Sequence, residues 1–403
     1  MKVKVRPEDF IVEEISDLPL KKSGPYLVCL LSKRGWNTVD ALKRLSRETG
    51  LPFSDFSYGG KKDRHALTTQ YVTIRHREPS SVGEVPSSAN YSLSYLGRSE
   101  RPMGPDCVRG NRFEITVRSV GGRELRGALA TVPQVLRFGC PNYFDDQRFG
   151  SFDPRQGFIA EKIIREHFNG ALKIYMTHIH PEDNAAEKER KHFFSEHWGA
   201  WRLCRRKAGT VLEETVFGYL AMEPKGFVPL LQKIPREEMS LFFSAYQSFL
   251  WNEVLRRGLV ETVGESLAAC KGTAGDYLFY DALENPAGDY LMSLCIPTAA
   301  AVMKMPDDRV RCLYRTLFEE RRVKPSMFNI RSVRQAFFKS TGRKAVVMPE
   351  SLSARAADDE IYQGRKKLTL RFVLPRGSYG SILIKRLFIG QGSVTERDQE
   401  VKM

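Results

Sequence analysis

No apolar run in the 403-residue chain is longer than the six residues Tyr26–Leu31, whereas a helix crossing a membrane needs about 20. The opening Met1-Lys-Val-Lys-Val-Arg-Pro-Glu-Asp9 has charge but no apolar segment behind it. A secretory signal is therefore not expected, and a cytoplasmic protein is. The seven cysteines are scattered, with no C-x-x-C pair, which argues against a disulfide framework or a structural zinc site. A Walker A loop and a G-x-G-x-x-G after a strand are both missing, so no nucleotide-cofactor signature is present. Internal repeats and low-complexity linkers are absent as well. Acidic residues are the scarce charge, 48 against 63 Lys plus Arg, which leaves a formal charge of +15. That surplus points to a polyanionic partner, nucleic acid ahead of membrane because no basic amphipathic anchor stands out.

What is present is the composition of a folded protein. The hydrophobic share of 42% is enough to exclude a largely disordered chain, and the length suggests two domains or one with a large insertion. Asp9-Phe-Ile-Val-Glu-Glu-Ile15 and Tyr26–Leu31 read as strands. Asn37 or Thr38 can cap a helix carrying Val39, Leu42 and Leu45, and Gly50 and Pro52 end it. Further strands are predicted over 53–58, 70–74 and 111–117, with Gly59-Gly60 as a turn. From about residue 158 helical patterns take over, notably 237–256 and 307–322. Strand character returns over 366–374. A β-rich start, a helix-rich middle and a β-rich end predict an insertion domain in a host built from both termini.

The most informative stretch is Tyr58-Gly-Gly-Lys-Lys-Asp-Arg-His-Ala-Leu-Thr-Thr-Gln70. Asp63 follows the Gly-Gly turn, and its neighbours Lys61, Lys62 and Arg64 favour the ionised carboxylate. A carboxylate on a loop ringed by phosphate-binding cations suits a nucleophile or base acting on a nucleic-acid sugar or base. The competing reading is a basic turn whose aspartate pairs locally.

This stretch resembles the catalytic-aspartate motif of the TruD family of tRNA pseudouridine synthases, Y-A-G-x-K-D-[RK]-x-A-x-T-x-Q. Three other segments match that family in order. Lys4-Val-Arg-Pro-Glu-Asp-Phe-Ile-Val-Glu13 resembles its opening K-x-x-P-x-D-F-x-V-x-E. Pro141-Asn-Tyr-Phe-Asp-Asp-Gln-Arg-Phe-Gly150 resembles P-N-Y-F-G-x-Q-R-F-G, and Leu374-Pro-Arg-Gly-Ser-Tyr-Gly-Ser381 resembles L-P-x-G-S-Y-A-T. Ser244-Ala-Tyr-Gln-Ser-Phe-Leu-Trp-Asn252 is a fainter match to a helix of the family.

The resemblance implies an α+β fold. Its catalytic domain would be a mixed, largely antiparallel sheet from residues 1–157 and 333–403, with an α-rich TRUD insertion domain over 158–332 and RNA in a basic cleft between them. It implies isomerisation of uridine to pseudouridine, most naturally at position 13 in the D arm of tRNA, with other RNAs as further candidate substrates and no cofactor, metal or membrane. Asp63 would act at the ribose, either attacking C1′ or removing the 2′ proton. Lys4 matches the basic residue that pairs with it. Phe144 matches the aromatic that stacks on the flipped uracil. Asn142 can offer a donor and an acceptor to substrate or to neighbouring loops, Lys62 and Arg64 would hold the substrate backbone, and Phe10 would pack beneath the site.

The sequence departs from the family pattern at Gly59, Lys61, Asp145, Gly380 and Ser381, which puts loop geometry in question more than catalysis. His178-Ile-His180 with Glu182 and Asp183, followed by His192 and His197, has donors for a metal, but a polar surface is the simpler reading. The run Glu187–Lys191 reads as a solvated helix face, and Arg202, Arg205, Arg206 and Lys207 as phosphate contacts. Two other classes fit the sequence less well. A non-catalytic RNA-binding or tRNA-folding module would not require Lys4, Asp63, Asn142 and Phe144 together, and an RNA methyltransferase would need a glycine-rich loop that the chain lacks.

Overall fold

The computed structural model describes residues 1–75, 90–264, 266–283, 286–333 and 338–390, together with the short strand Thr395–Glu396. It divides into two compact units, residues 1–140 with 347–403, and residues 141–346.

The first unit is built on one mixed sheet. Its main path runs Glu350–Asp358, Lys366–Pro375, Val108–Val120, Phe10–Ser16, Leu67–Arg75, Tyr26–Arg34, Tyr91–Ser99. Along this path every neighbouring pair is antiparallel except Phe10–Ser16 with Leu67–Arg75, which run parallel. The motif that opens the chain and the strand that follows the Asp63 loop therefore lie side by side at the centre of the sheet. Alternation sets the faces: Phe10, Val12 and Glu14 point inward from the first of these strands.

Local chemistry explains the helix that covers part of this sheet. Asn37 caps Thr38–Thr49 by accepting from the Asp40 N–H at 2.8 Å, and Gly50 ends it in the left-handed conformation at φ 68°. Ala41, Leu42 and Leu45 from this helix bury themselves against Leu27, Cys29, Leu31, Val72 and Ile74 of the strands. Of the predicted 53–58 strand, only Phe56–Tyr58 is extended, because Pro52 starts a tight 3-10 turn over Phe53–Asp55.

The opening motif is fixed to the sheet by a buried charge cluster. The Arg118 guanidinium contacts Asp9 at 2.7 Å and Asp359 at 3.1 Å, and Asp9 also accepts from the Arg6 N–H. Burial alone would raise the Asp359 carboxyl above its usual range. The N–H groups of Ser119, Ile361 and Tyr362, with the Arg118 charge, hold it below instead.

The second unit is mainly helical. Its axis is the 28-residue helix Arg236–Val263, which starts beyond Pro235 and buries thirteen of its residues, too many for one face of a surface helix. Ile159–Ile164 and Asp308–Glu320 pack on it, Tyr175 of the helix Phe168–Thr177 meets its Phe242, and Ala185–Glu196 and Val211–Met222 are further helices of the unit. The unit begins at Pro141, well before the change to helical texture in the sequence. Its first segment is claimed by aromatic packing on the long helix: Phe144 meets Trp251 edge-on, and Phe158 packs on Tyr246 and Phe249. The P-N-Y-F segment thus belongs with the helices, not with the sheet. No helix among the described residues is long and apolar enough to cross a membrane.

Candidate active site

In the sheet unit, Asp63 and Lys4 come together. The Lys4 ammonium donates to Asp63 Oδ2 at 2.6 Å, with side chains only 14% and 13% exposed. The second carboxylate oxygen accepts from the His65 N–H at 3.0 Å, so both oxygens of Asp63 are oriented. Lys4 sits at φ 59°, a region that costs a non-glycine residue about 1–2 kcal/mol. Its ammonium lies 4.6 Å from the centroid of the buried Phe10 ring. Phe10 thus packs under the pair, as the sequence suggested.

The backbone of the loop is held from below. Thr38 Oγ1 accepts from the Lys62 N–H at 2.9 Å and donates to Gln70 Oε1 at 2.8 Å. The Gln70 amide in turn donates to the Gly60 carbonyl at 3.1 Å. Lys33, whose side chain the sequence reading left unassigned, donates to the Asp63 carbonyl at 2.7 Å and to the Trp36 carbonyl at 2.6 Å.

Lys62 is engaged inside the protein: its ammonium pairs with Glu14 at 2.6 Å and donates to Asn111 at 2.6 Å, and the side chain is 10% exposed. Glu14 occupies an inward position of its strand, and a fully buried carboxylate requires an opposite charge. Lys62 supplies it and so ties the loop to the central strand. Lys61 and Arg64 lie at the surface.

The departure at position 59 has a steric cause. A Cβ on Gly59 would stand 2.3 Å from Val108 Cγ2, 3.0 Å from Met103 Cε and 3.1 Å from the Gly104 carbonyl oxygen. Gly59→Ala is therefore expected to destabilise the protein by about 1–3 kcal/mol. Adding Val108→Ala should restore part of the loss, and equal melting temperatures for Gly59→Ala and the parent protein would refute this coupling.

In the helical unit, the structure brings Asn142 and Phe144 together with two residues the sequence reading had not given roles. Asn252 grips Phe144 by both backbone groups: its Oδ1 accepts from the Phe144 N–H at 2.9 Å and its amide donates to the Phe144 carbonyl at 2.8 Å. The Arg343 guanidinium lies 4.1 Å from the centre of the half-buried Phe144 ring and 5.2 Å from that of Trp251. Arg343 also donates to Asn142 Oδ1 at 2.7 Å, while the Asn142 amide donates to the Lys344 carbonyl at 3.1 Å. Of its two options, the buried Asn142 shows the neighbouring-loop contacts. Asp145, where the family pattern has glycine, sits at φ −86°, so the backbone there does not demand glycine.

The histidine-rich segment His178–His180 has no regular secondary structure. His178 follows the helix Phe168–Thr177, with Nε2 3.0 Å from the Gly150 carbonyl, while Asp183 pairs with Lys191 at 2.6 Å and accepts from the His180 N–H. Among the described residues no group of three or more His, Cys, Asp or Glu is placed to hold a metal. Arg202, Arg205, Arg206 and Lys207 are exposed on or at the end of the short helix Trp201–Lys207, and Lys207 pairs with Glu189 at 2.8 Å.

On the mixed sheet, a braced loop thus presents an aspartate with both carboxylate oxygens oriented and a lysine as its ion-pair partner. The family model for tRNA pseudouridine synthase D (TruD) matches residues 1–387, and the chain belongs to that family. It is 32% identical to "Probable tRNA pseudouridine synthase D 1" of Methanococcus maripaludis, over 96% of this chain and 99% of that one. It is 27% identical to tRNA pseudouridine synthase D of Aquifex aeolicus, over 96% and 98%. The crystal structure of the "Putative tRNA pseudouridine synthase D (TruD)" from Methanosarcina mazei superimposes with a TM-score of 0.72 at 24% identity, covering 96% of this chain and 93% of that one, and shares its fold.

Proposed function

We propose that this chain isomerises uridine to pseudouridine in tRNA, at position 13 of the D arm, as a cytoplasmic enzyme whose sheet unit is catalytic and whose helical unit is the insertion. The observation that carries the reading is the 2.6 Å Lys4–Asp63 pair on a loop fixed through Thr38, Gln70, Lys33 and Lys62, in a chain of the TruD family. The reaction breaks the N1–C1′ bond, turns the bound uracil and joins C5 to C1′. The hydrogen on C5 leaves as a proton and N1 gains one, so the change is redox-neutral. Asp63 supplies a carboxylate at the ribose, as nucleophile toward C1′ or as base for the 2′ proton, and Lys4 keeps it charged and aimed. Phe144 offers the uracil a π-face without competing hydrogen bonds. Chemical mapping of tRNA incubated with the protein should find one new pseudouridine, at position 13. A product elsewhere would remove the D-arm assignment.

The formal charge of +15 implies that affinity for tRNA falls steeply with salt, because each phosphate neutralised releases a condensed counterion. Charge reversal of exposed Arg205 and Arg206 is expected to flatten that slope in filter-binding assays. An unchanged slope would move the RNA-holding surface elsewhere, for instance to Lys61 and Arg64.

A further inference from the structure

We propose that Lys33 is a positioning residue of the reaction: its buried ammonium clamps the backbone carbonyl of Asp63 to the turn at Trp36 and so sets where the Asp63 carboxylate points. The inference rests on Asp63 being the reacting carboxylate.

The strand Tyr26–Arg34 shows why this lysine is unusual. Leu27, Cys29, Leu31 and Lys33 share one inward-facing phase, and the first three belong to the apolar core under the helix Thr38–Thr49. The pattern calls for a fourth apolar residue. Instead the chain places a lysine that is 1% exposed. Burying an ammonium is costly unless its N–H groups and its charge are both answered. All three donors are engaged, with the carbonyls of Trp36 at 2.6 Å, Asp63 at 2.7 Å and Lys62 at 3.4 Å. Each acceptor is main chain, and two of them belong to the catalytic loop. A residue retained only for packing would be apolar here. One retained only for charge would face a carboxylate directly.

The charge balance points the same way. Burial lowers the Lys33 pKa to about 8, the Asp63 charge opposes that shift and the Lys62 charge adds to it. Asp63 thus sits between two ammonium groups, Lys4 at its carboxylate and Lys33 at its own carbonyl. Deprotonation leaves an amine with two N–H groups and a lone pair facing three carbonyl oxygens, so the clamp loosens as pH rises past about 8. The unfolded chain keeps this proton up to its ordinary value of 10.5, so between about 8 and 10.5 unfolding takes up a proton. The Lys33 contribution to stability therefore rises with pH in that window, while its contribution to catalysis falls. A merely structural lysine would not produce that divergence.

The test compares single-turnover pseudouridine formation by the unsubstituted protein, Lys33→Met and Asp63→Asn, at temperatures well below each melting point. Misplacing a reacting group by about 1 Å costs roughly a hundredfold, so Lys33→Met is expected to slow the step by roughly 10- to 100-fold at pH 7. Its affinity for tRNA should remain within about threefold of the parent. Its rate deficit should shrink from pH 7 to 9, because only the parent has the titrating group. A Lys33→Met protein that turns over at the parental rate while Asp63→Asn is inert would overturn this inference alone. An active Asp63→Asn would overturn the reading of Asp63 beneath it. Should Lys33→Met fail to fold, the parent's own profile decides. A single-turnover rate that falls through about pH 8 at constant tRNA affinity upholds the clamp, and a rate that stays flat or rises refutes it.

Discussion

Asp63→Asn protein is expected to bind tRNA nearly as well as the parent and to turn it over slower by several orders of magnitude. The amide keeps the size of the carboxylate, and its single oxygen can still accept from either the His65 N–H or Lys4, while its NH2 group faces the other donor. What it loses is the negative charge, and with it the capacity to attack C1′ or to take the 2′ proton. Binding draws on the cationic surface and the aromatic platform, neither of which changes, so affinity should stay within roughly tenfold, or about 1.4 kcal/mol. Parallel filter-binding and turnover measurements separate the two effects. A fall in affinity as large as the fall in rate would make Asp63 a binding residue.

Phe144→Ala should act differently. Stacking a base on an aromatic side chain contributes roughly 1–3 kcal/mol, and that contribution is made only when the uridine has left its helix. The variant should therefore lose turnover by about ten- to a hundredfold, while the carboxylate and its lysine remain intact. The loss should be smaller on a substrate whose target uridine is already unpaired, since less unstacking must then be offset. Phe144 is half-buried with its backbone held by Asn252, and Arg343 and Trp251 stay beside the space it vacates. Its removal should thus cost the unit less stability than loss of a core phenylalanine. A melting temperature lowered as far as for a fully buried position such as Phe158, with turnover per folded molecule unchanged, would make Phe144 a packing residue.

Much of this was legible in the sequence because the residues concerned are close along the chain or carry strong local signals. The Asn37 cap, the Gly50 stop and the inward phase of Phe10 and Val12 are dictated within a few residues, and they place the central strand and the helix over it. The Asp63 loop announced itself by a glycine pair beside a charge cluster. Its long-range supports could not be read that way. Lys62 reads as one more cation of the loop, and nothing local signals its pairing at 2.6 Å with the interior Glu14, 48 positions earlier. Lys33 lies two residues beyond the apolar run Tyr26–Leu31, yet alternation carries it inward. Arg343 and Asn252 reach the Phe144 segment from positions far apart in the chain. Only the faint Ser244–Asn252 match hinted at one of them. The start of the second unit at Pro141 carries no such local signal. Secondary-structure texture marks where helices begin, whereas unit membership is decided by the packing of Phe144 and Phe158 on the long helix.

The most direct test follows the hydrogen that the reaction must release. When C5 becomes the atom bonded to C1′, its hydrogen is lost to water, so tRNA carrying tritium at C5 of uridine reports each turnover. Purified protein should release tritium from such tRNA and stop near one equivalent per molecule, the Asp63→Asn protein should release none above background, and both should retain the RNA on a filter. Absence of release by the unsubstituted protein on binding-competent tRNA, or equal release by Asp63→Asn, would contradict a carboxylate-driven uridine isomerisation at this site.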